Sequence, residues 1–452
     1  MNPWIQYHFI YKPIRSLLGD RVWRLIPELA ATERMSTAVL TTRTSSLLAS
    51  LLQRAYTSSS YFKQRLTAAG YTPGQAYDPE VFHRIPLLSK ADVRAYMVAD
   101  EVPRVPISKR STSGSTGEPL VFVKDRTAEN YMDAAMHQVY AWHGIQIGDR
   151  EGRFWGRAVT SVARYKQLLK DRLLNRRRLS AFQMDDKTCA AFWKTLRRFR
   201  PHYFYCYPNA VAEFADYLQR TGQSGRELNL KAIICTGEVL FPHHVALLQN
   251  IFDCPIVNEY GSTETGIIAI ACTMGKMHVL AQNIYLEVVD DDGNPLPPGT
   301  NGRILITELH STHVPFIRYS LGDKGALSHE PCPCGKPYPV LSIQTGRVDS
   351  FILTPSGKKV YDAVLAYAFK HAFKKFRGYQ RQLDLIEVEY IPAHGCDDVM
   401  LEALRKMLRE YLGADMRVEF TSVTEIPLTR AGKAQYFVSE ITPNTRAGSP
   451  PP

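Results

Sequence analysis

Two clusters of glycine, hydroxyl and carboxylate residues could bind the phosphates of a nucleotide. Residues 111–119 have the sequence STSGSTGEP. Its glycines would let backbone N–H groups approach phosphate oxygens, and its hydroxyls would add donors. It is not a Walker A loop, since no Lys follows the last glycine, and a plain loop is the alternative. Residues 258–266, NEYGSTETG, place Glu264 beside hydroxyl groups, which suits Mg²⁺ or, equally, a solvated polar loop.

Three later motifs carry single charged residues. Asp323 follows a glycine in R-Y-S-L-G-D, residues 318–323. In a turn, its carboxylate could bond the two hydroxyls of a ribose or cap its own backbone. G-R-V-D covers residues 346–349, and Lys433 ends L-T-R-A-G-K at 428–433. An isolated Lys on a loop is nearly always only solvated, so each of these motifs is weak alone.

The elements around these motifs predict an α/β fold. Residues 1–105 have mostly helical patterns, and residues 120–123 read as a strand before a helix over 127–143. Residues 201–265 alternate three short apolar runs, 202–205, 231–235 and 255–259, with helical patterns at 210–219 and 243–251. This rhythm is typical of a parallel sheet with helices on its faces, which binds ligands at the carboxyl ends of its strands.

The rest of the chain predicts a strand-rich region and a small second domain. Residues 266–345 contain strands and turns. Helical patterns at 361–376 and 400–412, with strands at 383–391 and 416–423, then predict an α+β unit. We therefore expect a large N-terminal domain over residues 1–347, a small C-terminal domain over 348–440 and a disordered tail over 441–452.

Composition excludes several classes of protein. With 452 residues, 45% hydrophobic and 22% charged, the chain matches a globular protein of two or more domains and not a disordered one. Eight scattered Cys argue against a secreted disulfide scaffold and favour a reducing cytoplasm. No apolar run predicts a membrane span, and the first 18 residues do not read as a signal peptide. We expect a cytoplasmic protein with no transmembrane segment.

The net charge of +11 favours anionic partners. A large share of it lies in residues 164–200. Among the cations of this basic block are Arg164, Lys166, Lys170, Arg172, Arg176, Arg177, Arg178, Lys194, Arg197, Arg198 and Arg200. It could face a coenzyme A nucleotide or an acidic carrier protein, or it could be a solvated helix surface. No motif with stacking aromatics points to nucleic acid, and we expect none to bind.

The order and spacing of the five motifs resemble the adenylate-forming superfamily of acyl-CoA synthetases and related ligases. Three shorter stretches, Y-C-Y-P at 205–208, T-G-E at 236–238 and R-Y at 318–319, look like its phenylacetate–CoA ligase branch, which includes CapK-like members. The likeness covers roughly residues 80–440. It implies activation of a carboxylic acid by ATP and Mg²⁺ as an acyl-adenylate, release of pyrophosphate, and transfer to a thiol, with CoA the leading acceptor.

The resemblance also implies roles for single residues. Those expected to cradle the β- and γ-phosphates are Ser113, Gly114, Ser115, Thr116 and Gly117. The adenine is expected to be bordered by Gly237, Glu238 and Tyr260. The next two residues of the second motif, Gly261 and Ser262, are expected to belong to the same nucleotide site. Thr263 would touch the α-phosphate and Glu264 would hold Mg²⁺.

Further carried-over roles concern the ribose, the catalytic lysine and the hinge. Asp323 and Arg347 would bind the ribose. Lys433 looks like the catalytic lysine that bridges carboxylate and phosphate oxygens, and Asp349 like the hinge on which the small domain rotates. Two positions depart from the family pattern. Ser350 stands where many relatives repeat the Asp, and Tyr436 where many have Arg, which puts the contacts of the thiol step in doubt.

This chain contains a C…H…C-x-C set of residues, Cys272, His278, Cys332 and Cys334. Some members of this branch have a similar set. Three thiolates and an imidazole satisfy a tetrahedral structural Zn²⁺ site, and this set would tie two hairpins together. Free thiols in loops are the alternative. The other five cysteines are expected to be small buried side chains.

The sequence does not identify the carboxylic acid or the final acceptor of the acyl group. An aryl acid is one candidate, with Trp142, Phe154, Trp155, Tyr207 and Asn209 as candidate wall residues, although core packing is the commoner fate of aromatics. A carrier protein or an amine could replace CoA, and a non-catalytic scaffold is a third reading. The presence of Glu264, Asp323, Arg347 and Lys433 speaks against that last one. The resemblance allows a homodimer.

Overall fold

The computed structural model describes most of the chain. It covers residues 2–99, 107–111, 120–155, 161–181, 184–312, 315–347, 351–357, 359–361, 365, 368–369, 372–393, 396–427 and 436–441. The predicted phosphate-cradling residues (Ser113 to Gly117), the hinge Asp349 and the lysine Lys433 therefore lie outside the described residues, as does nearly all of the predicted tail.

Helices dominate the first hundred residues, as predicted. They are α1 (Pro3–Ile5), a π-helical turn (Gln6–Tyr11), α2 (Lys12–Leu17), α3 (Val22–Ala31), α4 (Thr37–Ser58), α5 (Ser60–Ala68), α6 (Pro79–Arg84) and α7 (Lys90–Ala99). Side-chain caps fix several starts: the Ser36 hydroxyl accepts from the N–H of Val39, and the Asp78 carboxylate caps α6. The helix breaks therefore follow local sequence signals.

Between residues 107 and 347, the described part of the chain contains five further α-helices and thirteen strands. The strands are β1 (Ile107–Ser111), β2 (Val121–Asp125), β3 (Glu151–Trp155), β4 (Arg176–Ser180), β5 (Tyr203–Cys206), β6 (Ala232–Thr236), β7 (Ile256–Ser262), β8 (Gly266–Ala271), β9 (Met277–Val279), β10 (Ile284–Val289), β11 (Gly302–Glu308), β12 (Tyr319–Ser328) and β13 (Val340–Arg347). The helices are α8 (Arg126–Tyr140), α9 (Ser161–Leu173), α10 (Asp186–Phe199), α11 (Pro208–Arg220) and α12 (Pro242–Phe252).

Strands β3 to β13 form one eleven-stranded sheet in the order β10-β11-β12-β13-β9-β8-β7-β6-β5-β3-β4. The run β4-β3-β5-β6-β7 is parallel, and β7 pairs antiparallel with β8, as β8 does with β9. The α/β fold class is confirmed. The sequence analysis missed β3 and β4, and β4 lies inside the basic block as Arg176, Arg177, Arg178, Leu179 and Ser180. A cationic run can be a strand here because β4 is an edge strand with one neighbour.

Helices cover both faces of the parallel strands. Phe204 on β5 and Ile233 on β6 pack towards α10, α11 and α12, in a core that also holds Phe214 and Phe252. Tyr203 and the neighbouring positions of β6 face α3 and α8 instead. Side chains of a strand alternate between faces, so strands buried on both faces read as continuous apolar runs. That is why these strands were visible in the sequence.

The chain divides into two compact units. The first comprises Met1–Leu321 and Gly325–Ile343, and the second comprises Gly322–Lys324 and Gln344–Pro452. In the second unit the described elements are β14 (Phe351–Leu353), β15 (Lys359–Tyr361), β16 (Phe373–Gln382), β17 (Leu385–Pro392), α13 (Asp398–Leu412), β18 (Arg417–Ser422) and β19 (Phe437–Ser439).

One prediction for the second unit is wrong in part. Within the helical pattern expected over residues 361–376, residues 365, 368 and 369 are helical, but Tyr361 ends β15 and β16 begins at Phe373. This strand is central in the four-stranded sheet β18-β17-β16-β19, with an antiparallel neighbour on one side and a parallel one on the other. Pairing on both sides outweighs the weak local preference of a stretch rich in Lys and Arg. Among the described residues, no helix is both long enough and apolar enough to cross a bilayer.

Candidate functional site

The carboxyl ends of β5, β6 and β7 meet at one edge of the parallel sheet. Cys206 pairs with Cys235, and Thr236 pairs with Glu259, so the residues that follow these strands lie side by side. They are the ones that the sequence analysis selected after β6, Gly237 and Glu238, and after β7, the turn that contains Glu264. Edges of this kind bind ligands in open α/β sheets.

The Glu264 turn is a tight connection between β7 and β8. Ser262 pairs with Gly266, which leaves three residues in the loop, and Gly266 has a φ of +76°. A left-handed residue after a three-residue loop is a common hairpin geometry, and glycine adopts it without strain. A Cβ on Gly261 would lie 2.6 Å from the carbonyl oxygen of Gly266, so this position also needs glycine. The Ser262 hydroxyl accepts from the N–H of Thr265 at 3.2 Å and closes the loop.

Two residues distant in sequence hold Glu264. The Tyr319 hydroxyl, at the start of β12, donates to its carboxylate Oε1 at 2.8 Å. The Lys124 ammonium, on β2, donates to its backbone carbonyl. Lys124 also forms an ion pair with Glu308 at 2.5 Å, with both side chains 1% exposed. Burial raises the pKa of Glu308, and the charge of Lys124 lowers it. The carboxylate of Glu264 is thus oriented before any ligand arrives, while Thr263 beside it is exposed.

The other residues predicted at this edge are positioned as follows. Glu238 is half-buried, and its Oε2 accepts from the side-chain amide of Asn209 at 2.7 Å, at the start of α11. Gly237 is exposed with a φ of +80°. Tyr260 lies within β7 and is half-buried. The structure therefore brings Glu238, Tyr260 and the Glu264 turn to one edge of the sheet.

A buried carboxylate lies beneath this edge. Glu259 accepts from the hydroxyls of Tyr140 at 2.7 Å and Tyr205 at 3.2 Å. Burial raises its pKa, and the hydrogen bonds from the two tyrosines oppose that rise. Hydrogen bonds satisfy this carboxylate inside the sheet, so we interpret Glu259 as a support of the edge.

Two adjacent residues of the motif R-Y-S-L-G-D differ in their contacts: Arg318 is a structural residue, and Tyr319 belongs to the candidate site. Arg318 is 1% exposed, forms an ion pair with Glu287 at 3.1 Å, and donates to the carbonyl of Gly293 at 2.7 Å. Its φ of +50° is rare for a residue with a Cβ and is held by these contacts. Tyr319, the next residue, reaches Glu264 instead. The resemblance quoted both and assigned a role to neither.

Asp323 does not lie in a turn, contrary to our expectation. It is half-buried within β12, directly after Gly322, whose φ is +82°. A glycine within a strand often marks a local bend, and the residues on both sides of Gly322 belong to β12. The spacing of the motif thus indicated a turn where the strand has only a bend. Arg347 is the last residue of β13.

The predicted metal ligands converge at the far end of β8. One ligand atom from each of Cys272, His278, Cys332 and Cys334 lies within 4.8 Å of the others. Cys272 follows β8 and His278 lies in β9, while the two later cysteines lie between β12 and β13. Because β9 pairs with β13 through His278 and Val340, these segments are neighbours despite their separation in sequence.

The donor set of this Cys/His cluster is arranged as a metal requires. The Nδ1–H of His278 donates to the Tyr338 carbonyl at 2.8 Å, which leaves the Nε2 lone pair directed at the Cys334 sulfur, 3.2 Å away. The sulfurs of Cys272 and Cys332 are 3.9 Å apart. Around a tetrahedral ion with bonds of about 2.3 Å, ligand atoms would be about 3.8 Å apart. Three of the four residues are buried, so the cluster fits a closed site.

The candidate wall residues separate in the fold. Trp155 stacks on Tyr207 with ring centroids 3.9 Å apart, next to the carboxyl end of β5. Phe154 is fully buried in the core of the parallel sheet. Trp142 lies beside the Cys/His cluster, where it stacks on Tyr338. Core packing accounts for Phe154, so the set predicted as one wall is at least two groups.

The cations of the basic block also fall into two groups, one paired inside the fold and one exposed. Arg176 and Arg178 on β4 pair with the buried Asp171, at 3.5 and 3.0 Å, and Arg176 pairs with Glu151 at 2.8 Å. These cations stabilise the sheet edge internally. Lys166, Lys170 and Arg172 on α9 are exposed, so the two interpretations of the block, an anionic partner or a solvated surface, apply to exposed cations such as these.

Two family models match the chain. Residues 177–312 match the AMP-binding enzyme family, and residues 352–440 match the CapK C-terminal domain. Protein CapK of Staphylococcus aureus is 22% identical over 377 residues, which is 79% of this chain and 80% of that protein. A phenylacetate-coenzyme A ligase of Thermus thermophilus is 24% identical and covers 67% of this chain and 68% of its own length.

This chain belongs to the adenylate-forming superfamily. Its matches place it in the branch of CapK and phenylacetate–CoA ligase. Among solved structures, a 2-hydroxyisobutyryl-CoA ligase in its postadenylation state shares the fold, with a TM-score of 0.73 at 20% identity over 90% of this chain and 91% of that one. As a superfamily member, the chain is an AMP-binding, CoA ligase-like enzyme.

Two residues of the candidate site, Lys124 and Tyr319, were missed in the sequence. Lys124 had a signal: β2 alternates, and a Lys shares the buried face with Phe122. A charged residue at a core position of a strand indicates a buried ion pair. Tyr319 was quoted for family likeness, but nothing in the sequence shows that its hydroxyl reaches a residue 55 positions earlier.

Proposed function

We propose that the protein activates a carboxylic acid with ATP and Mg²⁺, releases pyrophosphate, and passes the acyl group to the thiol of coenzyme A. The observation that carries this proposal is the oriented Glu264 carboxylate at the carboxyl edge of the parallel sheet. A carboxylate in a turn beside the exposed Thr263 offers the hard oxygen ligands that Mg²⁺ prefers. The CoA ligases among the relatives support the choice of acceptor.

The residues of this chain would act mainly by positioning charge. Glu264 would hold the Mg²⁺ of the nucleotide, and Thr263 would donate to the α-phosphate. Ser113 to Gly117 would cradle the outer phosphates, and Glu238 and Tyr260 would border the base. Asp323 and Arg347 would hold the ribose. A site that places two anions together and stabilises charge at phosphorus lowers the barrier without covalent chemistry of its own.

Lys433 would bridge the substrate carboxylate and the α-phosphate in the first step. A compact ammonium suits this task because it can contact oxygens of both groups as they approach. In this proposal residues 348–440 form the mobile domain that carries Lys433, with Asp349 as its hinge.

The Cys/His cluster would hold a structural Zn²⁺. Three thiolates and one imidazole fill a tetrahedral shell, so no position is left for a substrate. The bond from His278 to the Tyr338 carbonyl fixes the tautomer that coordination requires. This ion would tie the β8–β9 hairpin to the β12–β13 connection and take no part in the reaction.

Exchange of labelled pyrophosphate into ATP tests the proposal, because it reports adenylation without an acceptor. A panel of aryl and short-chain acids is assayed with Mg²⁺, and mass spectrometry searches the purified protein for a retained acyl-adenylate. We expect acid-dependent exchange that Lys433→Ala abolishes and that the matched variant of an exposed lysine on α13, Lys406→Ala, leaves unchanged. Equal exchange in Lys433→Ala would refute the assigned role.

The acceptor is tested separately with the active acid. Adding CoA should convert the adenylate to a thioester with release of AMP. If hydroxylamine, an amine or a phosphopantetheine-bearing carrier discharges the adenylate and CoA does not, the adenylating function stands and the CoA step is wrong.

A further inference from the structure

Exposed apolar side chains concentrate on two helical segments that contact each other. Thirteen large apolar residues are exposed among the described residues, and eight of these lie within residues 2–18 and 161–173. The eight are Trp4, Ile5, Phe9, Leu17, Leu18, Tyr165, Leu168 and Leu169. Single exposed apolar residues are ordinary, but such a concentration marks an interaction surface.

The N-terminal segment is held in place by the fold. The hydroxyl of Tyr11 lies 3.2 Å from His137 Nε2, and Arg15 pairs with Asp133 at 2.5 Å, both on α8. The buried side-chain amide of Gln6 donates to the carbonyl of Leu173 at the end of α9. The outward position of Trp4 and Phe9 is therefore a consequence of how the opposite side docks.

The two segments present their apolar residues as stripes. On α9, Tyr165, Leu168, Leu169 and Arg172 follow the spacing of one helix face and are all exposed. On the N-terminal segment, the rings of Trp4 and Phe9 contact each other at 5.7 Å, and Leu17 is 88% exposed. Trp4 and Phe9 also project into solvent, with 61% and 66% of their surfaces exposed.

The charge of this surface is one-sided. Residues 2–18 and 161–173 contain six Lys or Arg and one acidic residue, Asp171. That carboxylate is buried and pairs inward with Arg176 and Arg178. Among the described residues, no carboxylate forms an ion pair with Lys166, Lys170 or Arg172. We call these eight apolar residues, with Lys12, Lys166, Lys170 and Arg172, the aromatic–basic surface.

We propose that the aromatic–basic surface docks the protein onto an anionic lipid bilayer as a peripheral contact. Trp, Tyr and Phe on a helix flanked by Lys and Arg are the combination that lies in the headgroup region of membranes, with apolar side chains inserted and cations at the phosphates. Two copies placed face to face would instead bring unpaired cations together.

Vesicle flotation of the full-length protein tests this surface. The probes are vesicles of phosphatidylcholine alone and of phosphatidylcholine with phosphatidylglycerol. We expect binding to the anionic vesicles that weakens as salt rises. The triple variant Phe9→Ser, Leu17→Ser and Leu168→Ser should bind at least about tenfold more weakly. The pair Lys166→Glu and Arg172→Glu should lose most of the salt-sensitive part.

A matched control removes exposed apolar side chains elsewhere. Met274→Ser with Val399→Ser should bind vesicles like the parent protein, and all variants should keep their melting temperature and their pyrophosphate exchange. The proposal is overturned if the parent protein does not bind anionic vesicles at low salt, or if the triple variant binds them equally well. It is also overturned if the variants abolish self-association or capture of an acidic carrier protein and leave vesicle binding unchanged.

Discussion

The two ends of β8 hold groups that suit metals in different ways. Before the strand, the Glu264 turn presents one carboxylate, oriented by Tyr319 and supported by Lys124. After it, the Cys/His cluster brings four ligand atoms within 4.8 Å of one another. One protein carboxylate suits an ion that arrives and leaves with a nucleotide, since Mg²⁺ keeps several waters and phosphate oxygens. Four converging soft ligands suit an ion that stays.

Zinc removal should have the largest effect and should act on stability. Metal analysis of the purified protein should find about one zinc per chain. Cys272→Ser should lower the free energy of unfolding by several kcal/mol, on the order of 5, because metal binding is part of the folding free energy of such sites. Cys396→Ser, a thiol outside the cluster, is the control. Protein without zinc, or equal thermal unfolding of the two variants, would contradict the metal assignment.

Breaking the ion pair between Lys124 and Glu308, beneath the Glu264 turn, should have the second-largest effect and should also act on stability. Lys124→Met leaves the buried Glu308 carboxylate without its cation, at a cost of about 3–5 kcal/mol in unfolding free energy. Adding Glu308→Leu should recover part of that loss, since two apolar residues replace the pair. Chemical denaturation measures both. A single variant as stable as the parent would show that the pair does not support the turn.

Glu264→Gln should separate catalysis from stability. The amide keeps the shape of the side chain and its bond to Tyr319 but binds Mg²⁺ poorly. We expect pyrophosphate exchange to fall by about 10²–10³-fold, the usual cost of removing one electrostatic contact to a transition state. Thermal unfolding should change little. If the melting temperature drops while exchange persists, the carboxylate is structural and the comparison between the two ends of β8 fails.

Tyr319→Phe should have the smallest effect on pyrophosphate exchange, and the dependence of the rate on Mg²⁺ should identify its cause. Loss of one hydrogen bond to a carboxylate costs about 1–2 kcal/mol, so exchange should slow by about 5–30-fold. More Mg²⁺ should recover part of the rate, because the carboxylate loses its orientation and keeps its charge. Tyr338→Phe, beside the Cys/His cluster, is the control. A rate independent of Mg²⁺ would assign Tyr319 to packing alone.

Much of the fold was visible in the sequence because of where the strands lie. β5, β6 and β7 are buried on both faces and appear as apolar runs, whereas β4 is an edge strand of Arg and was missed. The first four residues of β16 were read as helical because their strand state depends on the neighbouring strand that pairs with them. Local pattern therefore predicts an element only where burial imposes that pattern.

The residues of the candidate site likewise include some that the sequence predicts and some that it does not. Glu264 and the four zinc candidates were predicted because their residue types and order match a family motif. Asp323 was expected in a turn and lies in a strand, since a positive-φ glycine is compatible with either. Tyr319 and Lys124 could be assigned to Glu264 only once β2, β8 and β12 were placed together.

The sequence by itself determined the family, the α/β class and the candidate residues for the chemistry. These follow from residue type and spacing, which the chain holds without folding. The tertiary structure decided which of two adjacent residues is structural and which reaches the site: Arg318 is buried on Glu287, and Tyr319 turns to Glu264. It also decided that Trp4 and Phe9 face outward beside α9, while Tyr11 is buried against α8. Partners that far apart in sequence leave no local pattern, because only packing brings them within reach.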